Sequence, residues 1–412
     1  MSGRPETERK TDGFDAGAIR RQFAILNREI AWLDNAATTQ RPEAVLKAMD
    51  RFYRQHNANV RRSVHRLGAE ATAAYEGARA TVAKFVGAAA PAEIVFTAGT
   101  TAAINLAVFG FARWEIGPGD EVWISALEHH SNWVPWQQAV KGVGATLKVI
   151  PLTPEGRLDL DVFRKGLAAH RTKWVAATWV SNVLGVENDV RAICELAHAA
   201  GARVLVDGAQ GVAHLPADVA ATGCDFFAFS GHKTYGPMGI GALWGRRELL
   251  EQTEPILFGG EMIARVDDLK STWAEPPYRF EAGTPNVAGA VGLAAAIEWV
   301  QGLPAGAHAY VADLARTAAA QLAELPGVRV WGPAADRVSL VSFSVAGVHA
   351  HDVAQVLDGR GVAVRAGHMC AQPLMRRLGI ESAVRASFAP YNVPDEIRRL
   401  LEGVRAAQEL FT

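Results

Sequence analysis

The chain is poor in cysteine. Three of its 412 residues are cysteines, at 194, 224 and 370, too far apart and odd in number for a disulfide framework. A reducing, cytoplasmic setting is the expectation that follows. Net charge is nearly absent too: 42 Lys+Arg against 43 Asp+Glu leave −1. No basic field awaits nucleic acid and no polybasic run awaits anionic lipid, so neither a nucleic acid nor a membrane is an expected partner. Long apolar runs are missing. Stretches such as "VGLAAAIEWV" (291–300) fall well short of the about 20 residues a membrane-spanning helix needs. Repeats and low-complexity tracts are absent beyond a richness in alanine, which favours helix without specifying chemistry. The opening "MSGRPETERKTDG" has charge but no apolar signal-peptide core and reads as a disordered lead-in.

What is present is alternation. "EIVFTAG" (93–99), "EVWISALEHH" (121–130), "TKWVAATWVSN" (172–182), "ARVLVDGAQ" (202–210), "FFAFSGHK" (226–233) and "GIGALWG" (239–245) read as buried strands. Alanine-rich helices such as "VRAICELAHAAG" (190–201), ending on a C-cap glycine, lie between several of them. The pattern predicts an α/β fold, a mostly parallel sheet covered by helices on both faces, over residues 31–300. After about residue 300 the texture changes. A helix near 308–325, then "VRVWG", "VSLVSFSV", "HDVAQVLDGRG", "VAVRAG", "VRASFAPYN" and a closing helix from about 394 predict a small α+β domain over 301–412. Residues 1–30 are expected to pack with that small domain.

Polar residues collect where the strands end: Glu128 and His129, Ser181 and Asn182, Asp207 and Gln210, Ser230, His232 and Lys233. In open α/β sheets the carboxyl ends of strands are where ligands sit. In "SGHKTYGP" (230–237) a lysine just past a buried strand is placed to lose its proton and condense with an aldehyde, and Ser230 and His232 can donate to an anion. "VDGAQ" (206–210) supplies an acid, which alone is equally a helix cap. "TAGTTAAINL" (97–106) is a Gly-Thr-Thr turn opening a helix, suited to a phosphate or simply an ordinary cap. Together, an aldehyde-trapping lysine, an acid for a pyridinium nitrogen and a phosphate cradle are what pyridoxal phosphate requires.

With these motifs the sequence resembles the fold-type I, class V aminotransferase-like family of pyridoxal-phosphate enzymes, and within it the SufS-type cysteine desulfurases. The resemblance runs from "WLDNAATTQ" (32–40) to the last helix, through "HRLGAEAT" (65–72), "LEHHSNWVPW" (127–136), "VSNVLGVEN" (180–188), "VLVDGAQ", "FSGHKTYGPMGIG", "RFEAGTPN" (279–286), "RAGHMCAQPLM" and "VRASFAPYN". It implies that Lys233 holds the cofactor's aldehyde, Asp207 partners the ring N–H, His129 stacks on the ring and Gln210 meets the phenolic oxygen. Thr101, Ser230 and His232 match phosphate contacts, and Thr284 one supplied by the other subunit of a homodimer. Asn182, Arg365 and Arg385 match substrate-binding positions, Arg385 taking the α-carboxylate, a task for which a bidentate arginine is better suited than lysine. Cys370 falls on the catalytic cysteine.

The residues themselves leave a cysteine three roles: core filler, metal ligand or nucleophile. Cys194 lies within an amphipathic helix and Cys224 before a buried strand, so both read as core. Cys370, in "RAGHMCAQP" (365–373), has Arg365 and His368 close in sequence to favour thiolate, and "HMC" alone lacks the ligands of a metal site. It reads as the nucleophile. The resemblance then implies an L-cysteine desulfurase that leaves a persulfide on Cys370, releases alanine and passes sulfur to an acceptor for iron–sulfur cluster assembly. Related alternatives are a selenocysteine lyase or cysteine-sulfinate desulfinase, and more remotely a class V epimerase or aminotransferase. One departure stands out: Met369 occupies a position where the family usually has a second histidine. His351, in "VHAHDVAQVLD" (347–357), matches a histidine that captures zinc from a SufU-like acceptor, which favours that partner over a SufE-like one; its plainer reading is a residue that begins a helix.

Overall fold

The computed structural model describes residues 14–62 and 64–411 of the chain; the expected disordered lead-in lies outside them. The dominant element is a seven-stranded sheet. Its strands are β1 (Ile94–Thr97), β2 (Glu121–Ser125), β3 (Thr146–Ile150), β4 (Thr172–Thr178), β5 (Arg203–Asp207), β6 (Phe226–Ser230) and β7 (Gly241–Gly245), in the order β1-β7-β6-β5-β4-β2-β3. All neighbours are parallel except β7, which runs antiparallel to β1 and β6. Side chains alternate across the strands. Phe227 and Phe229 enter one core with the helices Arg66–Val86 and Val287–Gln301, while Phe226 and Ala228 enter another with the helix Thr100–Ala107. Burial on both faces is why these strands read as continuous apolar runs. β3 is different. It forms the sheet's edge with an alternating exposed pattern, so its "TLKVI" carries no such run.

The second sheet is antiparallel, with strands β8 (Val328–Trp331), β9 (Leu340–Val345), β10 (Arg365–Gly367) and β11 (Ala383–Ser387) in the order β8-β9-β11-β10. One face packs Val341, Phe343, Val384 and Ala386 against the helices Ala307–Ala323, Ala350–Asp358 and Pro394–Phe411. By strand alternation Ser342, Arg385 and Arg365, which are directly opposite one another across β9, β11 and β10, point the other way. That face meets the large lobe: Ser342 Oγ donates to the Val183 carbonyl at 2.6 Å. The short strand Ala31–Trp32 pairs in parallel with Val362–Ala363, and Leu33 joins the small-lobe core. Further towards the N-terminus, Arg20 pairs with Glu396 at 3.0 Å and Phe23 packs edge-on against Tyr391 and Trp299. No helix among the described residues is long and apolar enough to cross a membrane.

Candidate active site

Because β2, β4, β5 and β6 are parallel, their carboxyl ends lie along one edge of the sheet. A cavity of about 190 Å³ opens there, lined by Thr101, His129, Asn182, Asp207, Ser230, His232 and Lys233 from the large lobe and by Arg365, Met369 and Arg385 from the small one. Lys233 closes a single 3₁₀ turn directly after β6. Burial pushes its ammonium down to about 8, helped by Arg385 and Arg365 and opposed by Asp207. Among the described residues none hydrogen-bonds its Nζ. Desolvation raises the Asp207 carboxyl while Lys233 and the Ala209 N–H (2.9 Å) oppose the rise. His129 is neutral, its ring pushed down to about 3 by burial and by Lys233, and its Nδ1 meets Ser131 Oγ at 3.0 Å.

At the other end of the cavity the helix Thr100–Ala107 begins at Gly99, which has φ 148° and no capping side chain. Only glycine reaches that backbone region freely. The approach is tight: a Cβ on Gly241 would lie 2.7 Å from Gly99 Cα, and one on Gly99 would lie 3.2 Å from Ser230 Oγ. Ser230 Oγ accepts the Thr100 N–H at 2.8 Å, and Thr101 Oγ1 lies 2.6 Å from Ser131 Oγ. Hydroxyls and a helix N-terminus make an anion cradle. The lysine amine, the buried acid, the flat neutral imidazole and this cradle fit pyridoxal phosphate, with its aldehyde, pyridinium nitrogen, ring and phosphate respectively. Gln210 is buried just outside the lining and donates to the Ala36 carbonyl at 2.7 Å.

Arg385 is 1% exposed. Its Nη1 donates to the Asn182 carbonyl at 2.9 Å, its Nη2 pairs with Asp34 Oδ1 at 3.1 Å, and its Nε is buried without a partner. Directly opposite on β10 sits Arg365. Like charges facing across a sheet are unfavourable, and an orphaned N–H adds to the cost. A carboxylate in the cavity would offset the facing charges. Arg365 Nη2 also reaches Cys370 Sγ at 3.7 Å. The thiol itself is half-buried and stands outside the lining, on a turn where Met369 and Cys370 have φ of 52° and 55°. Cys194 and Cys224 are buried, the Cys194 thiol pushed up to about 12, which makes them inert by comparison. Thr284 is exposed and lies away from the cavity. His351 is exposed at the start of the helix Ala350–Asp358, and a Cβ on Gly367 would lie 3.9 Å from its Nε2. No group of three or more His, Cys, Asp or Glu among the described residues is arranged to hold a metal.

Two participants were not assigned from sequence. Asp34, within the "WLDNAATTQ" motif, holds Arg385 from 351 residues away. Glu128 is fully buried behind the strand ends, accepting from Ser125 Oγ, Asn132 Nδ2 (2.8 Å) and the Thr178 N–H (2.6 Å). Burial, together with the charge of Asp207, pushes its carboxyl up to about 8. It ties the ends of β2 and β4 to the segment that presents His129. Its position after a strand marked it as site-proximal; its burial is a tertiary property.

Comparison with known proteins agrees with this geometry. The aminotransferase class-V family matches residues 31–400. A cysteine desulfurase of Klebsiella pneumoniae (strain 342) is 48% identical over 404 residues, 96% of this chain and 99% of that protein. The crystal structure of the cysteine desulfurase CsdA from Escherichia coli superposes with a TM-score of 0.91 at 42% identity, covering 97% of this chain and 100% of that one. The apo cysteine desulfurase of Thermococcus onnurineus NA1 gives 0.91 at 39%, over 95% and 98%. The chain therefore belongs to the aminotransferase class-V family and is, within it, a pyridoxal-phosphate-dependent L-cysteine desulfurase of α/β, fold-type I architecture.

Proposed function

We propose that the enzyme, as a SufS-type homodimer in the cytoplasm, moves the sulfur of L-cysteine onto Cys370 and hands it to a protein acceptor for iron–sulfur cluster assembly. The observation that carries this reading is Arg365, which lines the Lys233 cavity and reaches Cys370 Sγ at 3.7 Å. Bound pyridoxal phosphate supplies a sink for the electron pair left when the α-proton departs. Lys233 would hold that group's aldehyde until the substrate's amine takes its place, and the freed Nζ, eased towards the neutral form, would then remove the α-proton. Asp207 would keep a proton on the ring nitrogen, His129 would lie against the ring as a neutral imidazole, and Gln210 would meet the phenolic oxygen. Thr101, Ser230 and His232 hold the phosphate. Arg385, with Asn182 beside it, takes the substrate carboxylate in place of part of its contact with Asp34. The Cys370 thiolate then attacks the substrate sulfur. An S–S bond forms as the C–S bond breaks, and the three-carbon fragment keeps the electron pair and is protonated to alanine. The acceptor's thiol later removes the outer sulfur.

A second copy of the chain completes the phosphate site in this reading. A groove of about 680 Å³ adjoins the cavity, sharing Thr100, Thr101, Ser230 and His232 with it and extending over Leu257, Pro285 and Asn286. Thr284 projects from a segment anchored by Glu281, which accepts from both Arg79 Nη atoms (2.7 and 2.9 Å) and from the Phe96 N–H (2.9 Å). An exposed threonine outside the lining of its own cavity suits delivery to a partner. His351, beside the cysteine turn, favours a zinc-bearing SufU-like acceptor over a SufE-like one.

The experiment that tests the reading is sulfide and alanine release from L-cysteine by wild type and Cys370→Ala. The variant should still bind cysteine, with its cofactor absorption changing on addition, yet release sulfide on the order of 10³-fold more slowly. Near wild-type release would remove Cys370 from the role.

A further inference from the structure

His130 has no part in the reading above, yet it holds the chain at the nucleophile and again two residues after it. Its backbone N–H donates to the Cys370 carbonyl at 2.7 Å. Its ring Nε2 accepts the Gln372 N–H at 3.2 Å. Gln372 is the first residue of the helix Gln372–Leu378, so that N–H is a donor with no partner inside the helix. The chain leading into these contacts is strained. Successive non-glycine residues in the left-handed region, Met369 and Cys370, persist only where the surroundings enforce them. The enforcing contacts are the Ala371 N–H on the His368 carbonyl at 2.8 Å, which closes the turn, Asn182 Nδ2 on the Met369 carbonyl at 2.8 Å, His368 Nδ1 accepting the Cys370 N–H at 3.1 Å, and the two from His130.

We infer that His130 is a positioning residue for sulfur transfer, a latch that keeps the Cys370 turn in its left-handed conformation by holding residue 370 through its backbone N–H and residue 372 through an unprotonated ring Nε2. The inference rests on Cys370 as the nucleophile. It also gives the turn a link to the cofactor cavity, since the adjacent His129 and Ser131 both line that cavity. The groups facing the His130 ring are His129 from its own segment, His368 from the cysteine turn, and Arg376 from the helix beyond. Partial burial, His368 and Arg376 all disfavour a charge on it. Protonation at Nε2 would set a donor against the Gln372 donor and open the latch, so sulfur transfer should weaken on the acid side.

The test compares His130→Ala and His130→Gln holoenzymes with wild type and Cys370→Ala. An amide oxygen in His130→Gln can accept the Gln372 N–H and does not titrate. His130→Ala should keep the visible cofactor band and a KM for cysteine within about twofold, while kcat for sulfide release falls on the order of a hundredfold, the scale of a 1 Å misplacement. His130→Gln should recover most of that loss, and its acid-side decline in kcat should move to lower pH. Wild-type turnover by His130→Ala, or a His130→Gln no better than His130→Ala, overturns the latch. If His130→Ala does not fold, the His130→Gln pH profile decides: an unmoved acid limb overturns the latch and a displaced one supports it. Normal turnover by Cys370→Ala would instead sink the nucleophile assignment on which the latch rests.

Discussion

Lys233 and Cys370 sit on turns that differ in what holds them from outside. The Lys233 turn is closed by its own lobe: Gly231 N–H bonds the Ile240 carbonyl, and Thr234 and Gly236 N–H groups bond the Gly231 carbonyl, at 2.8–2.9 Å. Thr39 adds its N–H and hydroxyl to the His232 carbonyl. The Cys370 turn carries two left-handed non-glycine residues; it is closed by the His368 carbonyl, which accepts the Ala371 N–H at 2.8 Å, and by His368 Nδ1, which accepts the Cys370 N–H, and is tied across to the other lobe by Asn182 and His130. The lysine serves one bound molecule and gains from rigidity. In the proposed reaction the cysteine meets a substrate inside and an acceptor outside, which suits a turn shared between the lobes. The lysine turn is thus held within one lobe and the cysteine turn partly across both.

The largest expected effect lies at the rigid end. Lys233→Ala should lose the visible band of the covalently held cofactor and turn over about 10⁴-fold more slowly, the upper scale of lost general-base catalysis. The same lysine gives a pH test with a definite sign. Its neutral amine is the form that captures an aldehyde, and burial holds it at about 8. Capture of added pyridoxal phosphate by apoenzyme, followed by absorbance, should therefore accelerate with rising pH and level off above about 8. An ordinary lysine would keep accelerating until about 10.4. A plateau only there would mean that the site does not perturb the amine.

Between the two ends stands Arg385, contributed by the small lobe but buried in the shared cavity. Losing a desolvated charge pair costs about 2–5 kcal/mol, so Arg385→Ala should weaken cysteine binding by about thirtyfold to several thousandfold. The cofactor band without substrate should be unchanged. Arg385→Lys should restore little, since a point charge cannot reproduce a planar fork held at once on Asn182, Asp34 and a carboxylate. Titration of cysteine against the absorption change measures this directly, and wild-type affinity in both variants would remove Arg385 from substrate binding.

The same division governs what the sequence reveals. Strands buried on both faces announce themselves by apolar runs, and Lys233, Asp207 and Ser230 are legible because they lie at the ends of such runs. The edge strand β3 is not, because exposure of Thr146 and Lys148 interrupts its pattern. Contacts that join the lobes are invisible locally. The Asp34–Arg385 pair spans 351 residues and the His130–Gln372 bond 242. Nor does a sequence announce that Met369 and Cys370 adopt a conformation usually left to glycine. Even so, strand alternation does place Arg385 once the apolar face of β11 is known: Val384 and Ala386 point into the core, so Arg385 cannot.

The smallest effect on the isolated enzyme is expected at His351, and it sharpens the contrast most. His351 is exposed, its N–H is accepted by His349 Nδ1 at 3.3 Å, and its Nε2 faces the Gly367 end of the cysteine turn. A zinc ion brought by an acceptor could bind there, because zinc takes imidazole nitrogen and thiolate sulfur in the same tetrahedral shell. Exchange of one of the acceptor's thiolates for His351 would free that thiolate beside the Cys370 persulfide without altering the ion's geometry. His351→Ala should then leave the slow, reductant-driven release of sulfide within about twofold of wild type, as expected for a surface substitution. Stimulation by a zinc-loaded SufU-like acceptor should be abolished. A residue that merely begins a helix would behave in the opposite way, with a small loss of thermal stability and undiminished stimulation. Equal stimulation of wild type and variant would return His351 to the plainer role of beginning a helix and would favour a SufE-like acceptor instead.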